Sequence, residues 1–194
     1  MKRQIRHGVF ETNSSSMHSL VIQKNDEYVT HEEIIADYYY WRDKDKILFL
    51  RNDSLEFGRT PFKCLASFID KLGYAIASFC KYNDEKFDEI IQTVTEIIPE
   101  CKGIELPLVS TSRYEHKPYY GYVDHESDDL LETFLEKHNV SLKEFLTNKK
   151  YVVIVDGDEY CIWDKLKLTG LVNTDIIDYE YPKRDKYGIR EEEQ

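Results

Sequence analysis

The longest helical pattern in this chain reads TPFKCLASFIDKLGYAIASF and covers residues 60–79. Apolar side chains recur there at alternating spacings of three and four, which indicates one continuous apolar helix face. These side chains are Phe62, Leu65, Ile69, Leu72, Ile76 and Phe79. Thr60 can cap the helix, and Pro61 suits its first turn because the N–H that proline lacks is unpaired there anyway. We therefore predict one long helix, with Phe68 at the edge of its buried face.

Shorter elements are predicted on both sides of this helix. Thr30 with Glu33, and Ser141 with Glu144, have the spacing of a capping box, in which side chain and backbone satisfy each other. Asp156-Gly157-Asp158 predicts a tight hairpin. The predicted strands cover residues 5–10, 17–23, 47–50, 104–109, 151–155, 159–163 and 175–181. The other predicted helices run from Thr30 to Tyr40, from Asn83 or Asp84 to a stop at Pro99, from Ser127 through Leu135, and on from Ser141.

Strands near both ends with helices between them predict an α+β fold. We expect an N-terminal β-hairpin and C-terminal strands that pack with a central group of helices. A chain of 194 residues, 41% of them hydrophobic, is long enough for one full core. The sequence therefore predicts a single domain over residues 1–185, followed by an acidic C-terminal tail over 186–194.

The overall charge disfavours several classes of function. The formal net charge is −11, whereas a generic duplex-DNA or RNA binder is expected to be basic. An acidic surface suits a basic protein partner or mimicry of a nucleic acid backbone. The four cysteines form no Cys-x-x-Cys pair, and no apolar run is long enough to span a bilayer. We expect reduced thiols, no secretory signal, no membrane partner and a cytoplasmic location.

The densest polar segment, residues 6–19, lies between two apolar segments. Residues 12–16 are equally consistent with a polar hairpin tip, because Asn and Ser favour turns. Alternatively, hydroxyls and turn amides form an anion site, with Arg6 pairing with a phosphate or carboxylate. On that reading the ligand-binding residues here are Arg6, Asn13, Ser14, Ser15, Ser16 and Ser19. If the site is catalytic, His18 is a candidate acid or base, and Glu11 can orient it.

Two further segments can contribute to the same site. The first holds Tyr120, Tyr122 and the pair Asp124-His125, just before a predicted helix start that favours anions. Either tyrosine can stack on a base, and His125 is a second candidate acid or base, oriented by Asp124. Gly121, between these tyrosines, indicates a close backbone approach or an unusual turn. The second segment supplies Glu56 and Arg59. Each segment alone also fits a plain loop and helix cap.

The string GVFETNSSSMHS, residues 8–19, resembles a signature that opens many proteins of bacteriophages and mobile elements of Gram-positive bacteria. Two shorter segments of that family, Glu-Phe-Gly and Gly-Tyr-x-Asp-His-x-Ser, are matched in the same order by residues 56–58 and 121–127. Together the matches cover about a ninth of the chain. The resemblance implies a mobile-element origin rather than an activity, and it suggests that the three segments belong to one site.

The sequence thus predicts a polar pocket for a phosphate-bearing small molecule or nucleotide, with hydrolysis or transfer at phosphorus or a glycosidic bond if it is an enzyme. No His-Glu-x-x-His pattern or cysteine pairing indicates a metal, and no cofactor is indicated. The alternative is a non-catalytic acidic protein that inhibits a host defence nuclease. The sharpest expectation is spatial: His18 and the pair Asp124-His125 should line one cavity.

Overall fold

The computed structural model describes residues 17–23, 26–36, 41–42, 46–58, 63–80, 84–110, 116–124, 130–156 and 176–180. Together they form an α+β fold, as predicted. The helices are α1 (His31–Ile35), α2 (Phe68–Phe79), α3 (Asp84–Ile97), α4 (Leu130–His138) and α5 (Leu142–Thr147), and a short 3-10 helix covers Asn52–Ser54. The strands are β1 (Met17–Gln23), β2 (Trp41–Arg42), β3 (Ile47–Phe49), β4 (Glu56–Phe57), β5 (Lys63–Leu65), β6 (Gly103–Glu105), β7 (Leu108–Ser110), β8 (His116–Pro118), β9 (Tyr122–Val123), β10 (Tyr151–Asp156) and β11 (Ile176–Glu180).

The largest sheet has the strand order β11-β1-β10-β5, and every neighbouring pair is antiparallel. In β1, His18 and Leu20 are both fully buried and, being two residues apart, share one face of the sheet. In β10, all five residues from Tyr151 to Val155 are buried. A strand that is buried on both faces lies at the centre of the molecule, so β10 is the middle of the core.

The strands β1, β3, β10 and β11 lie where the sequence predicts them, and so do α3 and α4. The Thr30 capping box is confirmed, since the Thr30 hydroxyl accepts from the Glu33 amide while the Glu33 carboxylate accepts from the Thr30 amide. The predicted extension of α1 to Tyr40 is wrong, because α1 ends at Ile35. At α5 the Ser141 cap is confirmed, because the Ser141 hydroxyl accepts from the Glu144 amide. The Glu144 carboxylate instead accepts a hydrogen bond from Tyr151 and forms an ion pair with Lys150.

The predicted start of the long helix at Thr60 is wrong. Residues 63–65 form β5, which pairs with β10, and α2 begins only at Phe68. Its cap is Ser67, whose hydroxyl accepts from the Asp70 amide at 3.2 Å. The placement of Phe68 at the edge of the buried face is also wrong, since Phe68 and Ile69 are equally buried. Pairing with β10 gives residues 63–65 backbone partners that the helical pattern does not anticipate.

Two strand predictions also need correction. The segment 104–109 is not one strand: Pro107 separates β6 from β7, and proline cannot donate to a sheet. The second strand of the predicted Asp156-Gly157-Asp158 hairpin, residues 159–163, lies outside the described residues. Over Val153–Val155, however, β1 and β5 already occupy both edges of β10, which leaves no edge there for a hairpin partner. Residues 5–10 and the acidic tail also lie outside the described residues.

Candidate functional site

His18 lies near the start of β1, and its side chain is fully buried against α2. The Nδ1 atom is 3.1 Å from the hydroxyl of Tyr74, which is also fully buried, and the two ring centroids are 5.6 Å apart. An unpaired polar group in a core costs about 1–3 kcal/mol, so this contact joins two groups that each need a partner. The described end of the polar N-terminal segment therefore enters the core.

Tyr74 connects His18 to the second predicted segment. Its ring meets the ring of Phe57 edge to face, with centroids 5.1 Å apart. The backbone carbonyl of Phe57 accepts a hydrogen bond from the Asp124 amide at 3.0 Å, and only 4% of Asp124 is exposed. These contacts form a continuous series from His18 through Tyr74 and Phe57 to Asp124. We call these four residues the buried polar cluster.

The pairing of β4 with β9 explains how residues so distant in sequence meet. The two strands run parallel, with Glu56 opposite Tyr122 and Phe57 opposite Val123. Gly121 permits this approach: its φ is +97°, and a Cβ there would lie 2.3 Å from the backbone oxygen of Leu55. The prediction that Gly121 marks a close backbone approach is confirmed.

The outer edge of the same strand pair carries polar and aromatic side chains. Glu56 is exposed, and its carboxylate accepts from the Tyr119 hydroxyl at 3.4 Å. Partial burial and the nearby Glu56 carboxylate together raise the pKa of Tyr119. Tyr122 is 42% exposed and lies against Gly58, where a Cβ would come within 2.9 Å of its ring. Tyr120 differs, since its ring packs against Phe87 of α3 with centroids 5.3 Å apart.

Lys71 is a buried amine one helical turn before Tyr74, and neither residue is among the site residues that the sequence predicts. The Lys71 ammonium donates to the backbone oxygen of Asn148 at 2.9 Å and lies 5.7 Å from the centre of the Phe145 ring. Burial lowers its pKa to about 7, while Asp70 acts weakly in the opposite direction. Sequence gives one signal for this burial: α2 is apolar or small on almost every side, which is typical of a helix without a solvated face.

Asn148, whose backbone carbonyl accepts from Lys71, is held in place by further hydrogen bonds. The Asn148 side chain donates to Asp26 at 2.7 Å and accepts from the Lys150 amide at 2.9 Å. The Lys150 ammonium lies 3.2 Å from both Asp26 and Glu144. The Asn148 hydrogen bond and Lys150 together lower the pKa of Asp26. This network holds Asn148 in place, so the acceptor for Lys71 is fixed.

Several predicted site residues lie outside the described residues: Arg6, Glu11, Asn13, Ser14, Ser15, Ser16, Arg59 and His125. The backbone of Ser19 is described and pairs with Ile154. Within the described ranges, no group of three or more His, Cys, Asp or Glu side chains is placed to hold a metal ion. Every helix there is also too short or too polar to cross a lipid bilayer.

A separate open cavity of about 430 Å³ lies beside the 3-10 helix. It is lined by Phe49, Arg51, Asn52, Asp53 and Pro107. Arg51 and Asp53 form an exposed ion pair across 3.5 Å. Among the residues that the structure describes, no member of the buried polar cluster lines this cavity.

Comparison of the chain with protein-family models, with curated proteins and with solved structures gives no match. The assignment of a function therefore depends on the geometry described above.

Proposed function

We propose that this protein binds a phosphate-bearing small molecule or nucleotide in a polar pocket built around the buried polar cluster. The observation that carries the proposal is the contact between His18 and Tyr74, both fully buried. A core that needed only stability would favour apolar residues here, because buried polar groups contribute little net free energy even when they are paired. Polar groups concentrated beside apolar walls are typical of ligand sites.

Chain connectivity supports the same location. In the sequence, His125 directly follows Asp124, and Ser16 stands two residues before His18. The predicted anion-binding and acid–base residues therefore flank the cluster in sequence on both sides. Glu56 and Tyr122 lie on the strand pair that also carries Phe57, where an exposed ring is available to stack on a base.

Native mass spectrometry of the gently purified protein tests the proposal. We expect a co-purified mass with the wild-type chain and its loss in His18→Gln. The matched control is His116→Gln, because His116 is exposed on β8 and is not a member of the cluster. A mass corresponding to a cleaved or transferred product would identify the pocket as an active site.

A thermal-melting panel of inorganic phosphate and nucleotides provides an independent measurement. A ligand at 100 times its Kd stabilises the folded state by about 2.7 kcal/mol. We expect this stabilisation for wild type and His116→Gln but not for His18→Gln. Failure of every compound to stabilise the wild type, or equal stabilisation of His18→Gln, would contradict the proposal.

A second candidate function is an interaction with a basic surface, such as inhibition of a host defence nuclease in the bacterial cytoplasm by a mobile-element product. The observation that favours it is the outer face of α3, where Glu85, Asp88, Glu89 and Glu96 are exposed. Inhibition that depends on this face should weaken steeply with ionic strength, because salt screens exposed charges. Reversal of Asp88 and Glu96 to lysine should abolish it, whereas ligand binding at the buried polar cluster should be insensitive to both changes.

A further inference from the structure

We propose that the open cavity beside the 3-10 helix binds a small organic anion, with a carboxylate or phosphate group carried on a flat apolar body. Its volume of about 430 Å³ lies within the range of about 300–1,000 Å³ that is typical of small-molecule sites. The lining combines two apolar residues, Phe49 and Pro107, with three polar ones, Arg51, Asn52 and Asp53. No described member of the buried polar cluster is among them, so this proposal is independent of the function proposed above.

The apolar side of the cavity lies where β3 and β6 end. The two strands run parallel with Phe49 opposite Glu105, and the Leu50 amide donates to the Glu105 carbonyl at 3.0 Å. Pro107 cannot extend this pairing because it has no N–H, and the chain after β3 enters the 3-10 helix. Phe49 and Pro107 both line the cavity and are only partly buried. Their two rings offer an apolar surface on which a planar ligand body can stack.

The polar side of the cavity presents the guanidinium of Arg51. Its Nε atom forms an ion pair with Asp53 Oδ1 across 3.5 Å, and 62% of the Arg51 side chain is exposed. Within the part of the chain that the structure describes, the guanidinium has no other polar partner. Its two Nη groups carry four of its five N–H donors, and they match the two oxygens of a carboxylate or phosphate.

The charges around the cavity favour an anion over a cation. The Asp53 carboxylate is paired with Nε of Arg51, while the Nη donors remain for a ligand. The Lys63 ammonium lies 3.5 Å from the Asp53 backbone oxygen and adds a second positive charge beside the 3-10 helix. The Asn52 side chain lines the same cavity, and its amide can donate to another ligand oxygen.

An NMR titration of the wild type with four probes tests the proposal. Benzoate and phenyl phosphate carry both the anion and the ring, benzamide has the shape of benzoate without its charge, and acetate has the charge without the ring. We expect both aromatic anions to bind with a Kd on the order of 1 mM and to shift the backbone amide signals of residues 49–53. Benzamide and acetate should bind at least about tenfold more weakly. The aromatic anion that binds more tightly identifies the preferred acidic group.

Arg51→Gln removes the guanidinium and should weaken binding of both aromatic anions about tenfold, equivalent to about 1.4 kcal/mol. Lys143→Gln is the matched control, because Lys143 is an exposed cation that has its own carboxylate partner, Glu96, and does not line the cavity. The control should bind both anions as the wild type does.

Four outcomes would overturn the proposal: no binding of either aromatic anion, equal binding of benzamide and benzoate, amide shifts that fall outside residues 49–53, or unchanged affinity in Arg51→Gln. The first three are measured on the wild type alone, so they decide the question even if the variant fails to fold.

Discussion

Replacement of Lys71 by methionine should make the protein more stable at neutral pH. The Lys71 side chain is fully buried, and burial lowers its pKa from 10.5 to about 7. A tenfold change in proton affinity is worth about 1.4 kcal/mol, so charging this amine costs the folded state roughly 5 kcal/mol relative to the unfolded chain. Methionine has a similar length and carries no charge, so Lys71→Met removes that cost.

One interaction opposes the gain. Lys71 donates to the Asn148 carbonyl, and a buried acceptor left without a donor costs about 1–3 kcal/mol. The balance is a net stabilisation of about 2–4 kcal/mol for Lys71→Met at pH 7, within the range observed when buried ions are replaced by apolar side chains.

The same change should alter the pH dependence of stability in a defined direction. The folded-state pKa lies below the unfolded one, so between about pH 7 and 10.5 the unfolded wild-type chain binds more protons. Its free energy of unfolding therefore rises with pH across this window and is flat, with respect to Lys71, below pH 7. The advantage of Lys71→Met should shrink by about 1.4 kcal/mol for each pH unit above neutrality.

Urea unfolding of both chains at about pH 7, 8 and 9 measures this difference, and subtraction cancels groups common to both. Lys102→Met is the matched control, because Lys102 is exposed and its replacement should leave stability almost unchanged at every pH. A Lys71→Met chain that is less stable than wild type at pH 7, or a difference that does not vary with pH, would refute this account of Lys71.

Three further predictions concern the packing of α2. Phe68→Ala and Ile69→Ala should each lower the free energy of unfolding by about 2–5 kcal/mol, since both are buried, and a negligible loss at either would contradict the assignment of the core. Gly73→Ala should lower the melting temperature clearly, because its Cβ would meet the Ser54 backbone oxygen at 2.1 Å; an unchanged melting temperature would show that the two helices are not so close. Ser67→Ala should cost about 1 kcal/mol in urea unfolding through loss of the helix cap, and no loss would argue for a different helix start.

Much of the fold could be predicted from local sequence. The apolar period of α3 and the polar cap of α1 each involve only residues close together in sequence. Helix α3 is found where expected, and α1 begins where expected although it ends earlier. The start of α2 could not be predicted that way. Phe62 and Leu65 continue the helical spacing of apolar residues, but residues 63–65 pair with Val153–Val155, far along the chain. A pairing partner so distant in sequence cannot be recognised from the residues immediately around β5.

The candidate site, too, could be predicted only in part from the sequence. The density of polar residues around His18 and Asp124 predicts both as site residues. In the structure, Phe57 connects them, because its ring packs against Tyr74 and its carbonyl accepts from the Asp124 amide. Tyr74, which contacts His18, and Lys71, which contacts Asn148, are not predicted from the sequence, because both stand inside an apolar helical pattern. Only the packing of α2 against β1 and Asn148 shows that these two side chains are polar groups in the core.

The order of the strands in the large sheet has a consequence for how the chain is made. Strand β1 is synthesised first, yet both of its neighbours, β10 and β11, come from residues 151–156 and 176–180. At about 5–20 residues per second, roughly 10–30 s pass on the ribosome before the last of them emerges. Until β10 emerges, this largely apolar strand lacks both of these partners, and until β11 emerges it lacks one of them; edges without a partner recruit other strands. Nascent chains of this protein should therefore depend on chaperones, and stalled synthesis before residue 176 should yield aggregates instead of a partly folded intermediate.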